Sequence, residues 1–332
     1  MIDSHVRLAH GNGGRLMREL LETRVYPALG VRESATDAAP VAARPGWLPY
    51  LSSDSFTVQP LFFPGGDIGS LAVHGTLNDL AVSGAEPAAL TLNLVLEEGF
   101  PLADLEQILA SAGRAADAAG VPVVGGDTKV VPHGQGSGVV IATTGLGWRD
   151  PALSLDIHAV RPGDAVLVSG PLGDHGTAVM LAREQFGLQS ELVSDAGCVL
   201  ELARLAWGLP GVRFLRDPTR GGLASVMHEI ARASGLGANL EEAAIPLRDP
   251  VRGACSLLGF NPLQLASEGR MVAIAAPEIA DILLRRWQAH PLGCDAARIG
   301  YLTSGAEVCL ATPLGGRRWL EELAEDPLPR IC

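Results

Sequence analysis

The chain has 332 residues, 47% of them hydrophobic, and a formal net charge of −12 at pH 7. This length allows a large core and two domains, whereas the acidic balance argues against nonspecific nucleic-acid binding, which requires clustered Lys and Arg. No apolar run reaches the length of a membrane span, and residues 1–14 lack the basic and apolar regions of a signal peptide. We therefore expect a cytoplasmic protein that is not bound to a membrane.

The first predicted elements form an α+β set. A glycine cluster at 10–14 precedes a helical pattern that extends to residue 29. Strands are predicted near 50–61, 89–96, 121–124 and 138–147, and helices near 69–83 and 102–119. The glycine-rich segment 134–138 is expected to be a hairpin loop.

A second set of mixed elements follows the turn signal Arg-Pro-Gly-Asp at 161–164. Its strands are predicted near 165–169, 213–215, 271–275, 298–302 and 307–310, and its helices near 176–186, 197–207, 222–234, 251–258 and 277–290. We accordingly predict an amino-terminal flap and helix over 1–34, a first mixed domain over 35–160, a second over 161–322 and a flexible tail over 323–332.

The tail ends on a cysteine. The chain has five cysteines, which are Cys198, Cys255, Cys294, Cys309 and Cys332. The odd number and the absence of CxxC or zinc-type spacing argue against a disulfide framework, and we expect the first four to be buried. An extended tail from residue 325 could carry the Cys332 thiol about 25 Å, into its own active site or that of another protein. The alternative is a terminal cysteine without a role.

Lys129 is the only lysine among the 25 cationic residues, all others being arginine. Arginine cannot lose its proton, whereas the pKa of lysine can be tuned by its surroundings. A position that keeps lysine in such a chain therefore suggests proton transfer or a point-charge contact, with chance survival as the alternative.

The sequence has no P-loop, and no GxGxxG motif follows a strand and opens a helix. Aspartates instead recur beside glycines or at predicted strand ends, and these are Asp54, Asp67, Asp79, Asp127 and Asp217. Carboxylates on separate elements suit Mg²⁺, which prefers oxygen ligands and bridges to phosphates. Simpler roles remain open, because Asp67 could cap a helix, Asn78 and Asp79 could lie on an exposed helix face, and Asp217 could begin a turn.

Four segments resemble the ATP-binding superfamily of aminoimidazole ribonucleotide synthetase and selenophosphate synthetase. They are HGNGG at 10–14, SDSF at 53–56, GDIGSLAVHGTLNDLAV at 66–82 and GGDTKVV at 125–131. Within this superfamily, DPTRGGLA at 217–224, SEG at 267–269 and PRIC at 329–332 resemble the HypE family of hydrogenase-maturation carbamoyl dehydratases. The flap lacks the reactive Cys and Lys of a selenophosphate synthetase.

The resemblance implies a reaction on the terminus of the chain itself. A HypF-type carbamoyltransferase places a carboxamide on the Cys332 thiol, and the chain dehydrates this S-carboxamide to a thiocyanate with ATP. The cyanide then passes to iron on a HypC–HypD-type scaffold and becomes a ligand of the nickel–iron hydrogenase centre. Two other functions remain open: a small-molecule kinase or amide-activating synthetase of the same superfamily, and a nucleotide-gated scaffold that only presents its tail.

The same resemblance implies roles for individual residues. Cys332 is the carrier, and Lys129 and Glu268 serve the proton steps, with Lys129 alternatively an electrostatic clamp. The residues implied to hold ATP are Gly11, Asn12, Gly13, Gly14, Asp54, Asp67, Asn78, Asp79, Asp127, Thr128, Asp217 and Arg220. Those implied to bind Mg²⁺ are Asp54, Asp79, Asp127 and Asp217.

The implied fold is that of the superfamily. The first domain binds ATP and pairs its sheet with a second copy across a homodimer axis, and the second is a carboxy-terminal α/β domain.

Overall fold

The structure is a computed structural model that describes residues 4–31, 38–183, 190–323 and 331. The amino-terminal part contains α1 (Gly14–Leu20), a π-helical turn (Leu21–Val25) and α2 (Tyr26–Leu29). The first domain contains β1 (Leu48–Phe56), β2 (Phe62–Phe63), β3 (Gly66–Asp67), α3 (Ile68–Val82), β4 (Ala85–Glu97), α4 (Leu102–Ala119), β5 (Val123–Gly125), β6 (Thr128–Val131) and β7 (Val139–Arg149). The second contains β8 (Ala165–Val168), α5 (Asp174–Ala182), α6 (Leu200–Trp207), β9 (Val212–Arg216), α7 (Gly222–Ser234), β10 (Gly237–Glu241), α8 (Asp249–Leu258), β11 (Val272–Ala275), α9 (Pro277–Gln288), β12 (Ala297–Thr303), β13 (Val308–Ala311) and β14 (Arg317–Trp319).

The first sheet has the strand order β1-β7-β4, with β5 and β6 both paired to the far edge of β4. β5 and β6 run parallel to β4, and β7 runs antiparallel to it. The prediction of a hairpin loop at 134–138 is therefore wrong, since β4 lies between the two strands that this loop connects. The loop crosses β4 instead.

Helix α3 lies between the first sheet and the second domain. It begins at the Asp67 cap, where the carboxylate accepts hydrogen bonds from the backbone N–H groups of Gly69 and Ser70 at 2.8 and 3.1 Å. The helix packs on β1, β7 and α4 on one side and on α6 and β9 of the second domain on the other. Helices that are apolar all round are buried, and Leu71 and Leu77 are fully inaccessible here.

The second sheet has the order β14-β13-β10-β12-β8-β11-β9 and is mixed, because β10 and β13 are parallel while the other pairs are antiparallel. Both faces are covered. Along β8, Val166 and Val168 belong to one hydrophobic cluster, and Ala165 and Leu167 belong to another that includes α6 and α9 residues. The predicted α+β fold of two mixed domains is confirmed. Among the described helices, none is long and apolar enough to span a bilayer.

Two predictions about cysteines and the tail have separate outcomes. Cys255 and Cys309 are buried as expected, but Cys294 is exposed and Cys198 is intermediate.

Of the predicted tail, residues 324–330 and Cys332 lie outside the described residues, so its flexibility stays a prediction. Ile331 is described, and it is 5% exposed within the hydrophobic core.

A glycine fixes the loop that enters α7. Gly222 has φ +58°, and a Cβ there would lie 2.5 Å from the Leu265 carbonyl oxygen. We expect Gly222→Ala to lower the free energy of unfolding by about 2–4 kcal/mol through left-handed strain and overpacking. Gly253→Ala in α8, where a Cβ meets nothing within 4 Å, is the control and should be neutral or stabilising by about 1 kcal/mol or less. Equal urea midpoints for the two variants would contradict this.

Candidate active site

Four carboxylates line one cavity of about 160 Å³ between the two domains. They are Asp54 on β1, Asp79 on α3, Asp217 just after β9 and Glu268 in the loop before β11. Thr219 and Arg220 line the same cavity. The structure therefore brings five of the predicted site residues together: Asp54, Asp79, Asp217, Arg220 and Glu268.

The fold places each carboxylate by ordinary strand and helix geometry. Alternate residues of β1 point inward, so Asp54 faces α3 together with Ser52. The Ser52 hydroxyl donates a hydrogen bond to Asp79 at 2.5 Å and ties α3 to this strand. The Ser267 N–H donates to the Pro218 carbonyl at 3.0 Å, which joins the Glu268 loop to the Asp217 loop.

Burial and mutual repulsion raise the pKa values of three of these carboxyls. Burial, followed by the charge of Asp217, raises the pKa of Glu268 to about 8. Burial, followed by the charge of Asp79, raises the pKa of Asp217 to about 7 and that of Asp54 to about 6. A cation bound among these groups would relieve the repulsion between their charges.

A magnesium ion fits this donor set. Within the described ranges, no group of three or more His, Cys, Asp or Glu side chains is arranged so that it could hold a metal ion by itself. Mg²⁺ does not require one, because it keeps several waters and binds one or two carboxylates together with substrate phosphates. The crowded, partly neutralised carboxylates of the cavity are suited to that mode of binding.

Asn78 lies beside this cavity, but its amide is already engaged. Its Nδ2 donates to the carbonyls of Gly197 and Glu268, both at 3.0 Å, and its Oδ1 accepts from the Val199 N–H at 2.8 Å. The side chain is 2% exposed. Asn78 therefore positions the Glu268 loop across the domain joint, and its predicted contact with nucleotide stays a prediction. The same holds for Asp67, which is buried at the α3 cap.

A second group of predicted residues lies at the opposite edge of the first sheet. Both carboxylate oxygens of Asp127 contact the Lys129 ammonium, at 3.1 and 2.9 Å, and both side chains are more than half exposed. Hydrogen bonding to Lys129 is the main cause that lowers the pKa of Asp127. Thr128 is buried, and its N–H donates to Asp127 at 2.8 Å.

The strand register separates this pair from the cavity. Asp54 on β1 is level with Thr143 on β7 and Leu92 on β4, and the Asp127 carbonyl accepts a hydrogen bond from Leu94 on β4. Asp54 and Asp127 are thus about three strand spacings, or ~14 Å, apart. Lys129 is paired with the exposed Val95 on the outer face of the sheet.

Within one chain, neither the predicted pair of Lys129 and Glu268 nor the predicted metal set that includes Asp127 comes together. This separation follows from the order of the strands in the sheet, which cannot be read from the order of residues in the sequence.

The predicted glycine flap, 11–14, begins against β6. A Cβ at Gly11 would lie 2.5 Å from the Val130 backbone nitrogen, so the flap backbone passes directly against the strand that carries Lys129. The flap therefore begins beside the strand of Lys129 and continues through Asn12, Gly13 and Gly14, where a Cβ at either glycine would meet nothing within 4 Å.

Asp195 is a functional candidate that the sequence analysis missed. Its buried Oδ1 accepts hydrogen bonds from the His175 N–H at 3.0 Å and from the Glu268 N–H at 3.3 Å. Arg270, two residues after Glu268, approaches the other oxygen at 3.4 Å. Asp195 belongs to no motif that we recognised in the sequence. Its importance is indicated by its contact with the Glu268 loop, which is far away in sequence and is visible only in the structure.

Both domains of the chain match one protein family. Residues 35–148 match the family described as AIR synthase related protein, N-terminal domain, and residues 161–310 match its C-terminal domain. Carbamoyl dehydratase HypE of Azotobacter vinelandii is 48% identical over 332 residues, covering 98% of this chain and 97% of its own. The chain belongs to the HypE family of carbamoyl dehydratases, as its motifs predict.

Solved structures agree with this assignment. A crystal structure of hydrogenase maturation protein HypE in complex with ATP is 41% identical, with a TM-score of 0.91, and covers 98% of this chain and 99% of its own. HypE in a HypE–HypF complex is 38% identical, with a TM-score of 0.81, and covers 93% of this chain and 100% of its own.

Replacing Asp79 should separate stability from ligand binding. Asp79→Asn removes a charge that repels Asp54 and Asp217, so we expect the ligand-free protein to gain about 1 kcal/mol near neutral pH. Mg²⁺–nucleotide binding should weaken about tenfold or more, because a candidate ligand is lost. Urea unfolding and calorimetric titration measure the two effects. Asp117→Asn on the exposed side of α4 is the control, and a loss of stability in Asp79→Asn alone would contradict the electrostatic account.

Proposed function

We propose that this chain is an ATP-dependent carbamoyl dehydratase of hydrogenase maturation whose substrate is the S-carboxamide on its own Cys332. The observation that carries the proposal is the position of Ile331, the residue before Cys332. Its carbonyl accepts a hydrogen bond from Nε2 of the His175 ring. The backbone N–H groups of His175 and Glu268 both donate to the Asp195 carboxylate. Consecutive Cα atoms lie about 3.8 Å apart, so Cys332 follows closely on an anchored residue.

The chemistry requires transfer of the γ-phosphoryl group of ATP to the carboxamide oxygen. The phosphorylated oxygen then leaves as phosphate while the C≡N bond forms, and the two N–H protons leave, which gives thiocyanate, ADP and phosphate. Phosphoryl transfer depends on positioning and charge stabilisation more than on a protein nucleophile. When bound, Mg²⁺ would neutralise the phosphates, and one or two of Asp54, Asp79 and Asp217 would hold it.

The residues of the cavity have distinct parts in this proposal. Glu268, buried with its carboxylate poised near neutral pH, accepts a proton from the nitrogen. Arg220 and Thr219 at the cavity wall orient phosphate oxygens. Lys129 serves the other proton transfer or holds the oxygen under attack.

We further propose a homodimer that completes the site. The outer face of the first sheet exposes apolar side chains, with Leu51 74% and Val95 37% exposed, and Lys129 lies on this same face. Packing a second copy on the face would cover these side chains. It would also supply Asp127, Lys129 and the glycine flap to the other subunit's carboxylate cavity.

The partners follow from the substrate. A carbamoyl group must be placed on the thiol by another enzyme, and HypE has been crystallised with HypF, so we propose a HypF-type carbamoyltransferase as the donor. The cyanide is then passed to iron on a HypC–HypD-type scaffold.

The function is tested by intact mass spectrometry of the carbamoylated chain before and after addition of MgATP. We expect a loss of one water, and we expect Lys129→Arg to bind ATP but to retain the carboxamide, because arginine cannot transfer the proton. Full thiocyanate formation in Lys129→Arg would refute the role of this lysine. Persistence of the carboxamide in the wild type would favour a scaffold that only presents its tail, and nucleotide turnover on a small molecule by Cys332→Ala would favour a small-molecule kinase.

A mixed dimer tests whether Lys129 and Glu268 act from different subunits. Lys129→Ala and Glu268→Gln should each be inactive alone, since each removes a proton-transfer group. Random mixing should restore about a quarter of the wild-type yield, because half of the dimers are mixed and each has one complete site. Absence of recovery, with mixed dimers verified by mass, would place both residues in the same subunit.

A further inference from the structure

His175 is a buried imidazole with a defined tautomer. Its Nε2 lies 2.9 Å from the Ile331 carbonyl oxygen and its Nδ1 lies 2.8 Å from the Ser194 hydroxyl. A carbonyl only accepts, so Nε2 carries the proton, and Nδ1 accepts from Ser194 in the neutral ring. The Ser194 oxygen in turn accepts the Ala196 N–H at 2.9 Å. Burial lowers the pKa of His175 to about 4, which keeps the ring neutral at neutral pH.

The ring is also held in place from its other sides. Phe63 packs edge to face on it, with ring centroids 5.3 Å apart and an interplanar angle of 86°. The His175 backbone N–H and the Glu268 backbone N–H both donate to Oδ1 of Asp195. One carboxylate oxygen therefore holds both the backbone of His175, whose ring binds Ile331, and the loop that carries Glu268.

We propose that His175 is a positioning residue for the substrate thiol, which holds the penultimate residue Ile331 by its carbonyl so that Cys332 begins at a fixed point near the Glu268 loop. This inference rests on the proposed function and adds to it the group that docks the tail. One neutral hydrogen bond and one buried isoleucine side chain form a contact weak enough to be broken when another enzyme must reach the thiol.

The test measures how often Ile331 leaves its site. Trypsin cleaves after Arg330, and intact mass spectrometry detects release of the Ile331–Cys332 dipeptide from the full-length, unmodified protein. His175→Phe keeps an aromatic ring but has no donor, and we expect release to become about three- to tenfold faster, as loss of one neutral hydrogen bond implies. His175→Gln can again donate near the Nε2 position and should return the rate to within about twofold of the wild type.

A second histidine supplies a matched control. Nε2 of His228 lies 2.7 Å from the Leu320 carbonyl, a bond of the same kind further back in the carboxy-terminal segment. His228→Phe should leave dipeptide release unchanged.

Ser194→Ala is the second variant, to be used if His175→Phe fails to fold. It removes the hydroxyl that sets the tautomer of His175 and should speed dipeptide release about twofold or more. Wild-type release rates in the folded variant, or equal acceleration by His228→Phe, would overturn the proposal.

Trypsin release needs neither ATP nor a carbamoyl group, so it is independent of the dehydratase reaction. In the second readout, the carbamoylated His175→Phe chain with MgATP should lose water about three- to tenfold more slowly while its ATP affinity stays unchanged. If the wild type does not lose water, the proposed function fails and the docking result stands. If the variant loses water at the wild-type rate despite faster dipeptide release, docking by His175 does not serve the reaction and the proposal is wrong.

Discussion

Repulsion among four carboxylates at the joint between the two domains is the constraint on which the rest of the structure depends. Asp54, Asp79, Asp217 and Glu268 come from separate elements and line one cavity. Burial and neighbouring charges raise the pKa values of Asp54, Asp217 and Glu268 there. Such an arrangement persists only if its surroundings hold it. The packing of α3 between the domains and the three hydrogen bonds of Asn78 do so, since they fix Asp79 and the Glu268 loop from the same helix.

The strand order gives the site its second constraint. A sheet with β1 at one edge and β6 at the other separates Asp54 from Lys129, although both belong to the same small domain. Because Lys129 lies on the outer, partly apolar face, the contact that would bury this face would also bring a second set of charged groups into an assembled site. Stability of the assembly and completion of the site would then depend on one surface.

Much of the fold and part of the site could be predicted from the sequence. Alternating apolar strands and long apolar helices gave the two mixed domains, but β10, which reads Gly-Ala-Asn-Leu-Glu, was missed because it contains no β-branched or aromatic residue. The carboxylates were identified by their motifs. The engagement of Asn78, the distance of Lys129 from Glu268 and the role of Asp195 depend on contacts between residues far apart in sequence, which no local pattern specifies.

We propose that metal and nucleotide phosphates bind in the carboxylate cavity. The most direct test is a crystal of this protein with Mn²⁺ in place of Mg²⁺ and a non-hydrolysable ATP analogue, measured for the anomalous signal of manganese. We expect a peak at metal–oxygen distances of about 2.0–2.3 Å from a carboxylate of Asp54, Asp79 or Asp217, with the terminal phosphate beside it. Ordered nucleotide with manganese bound away from all three carboxylates would contradict it.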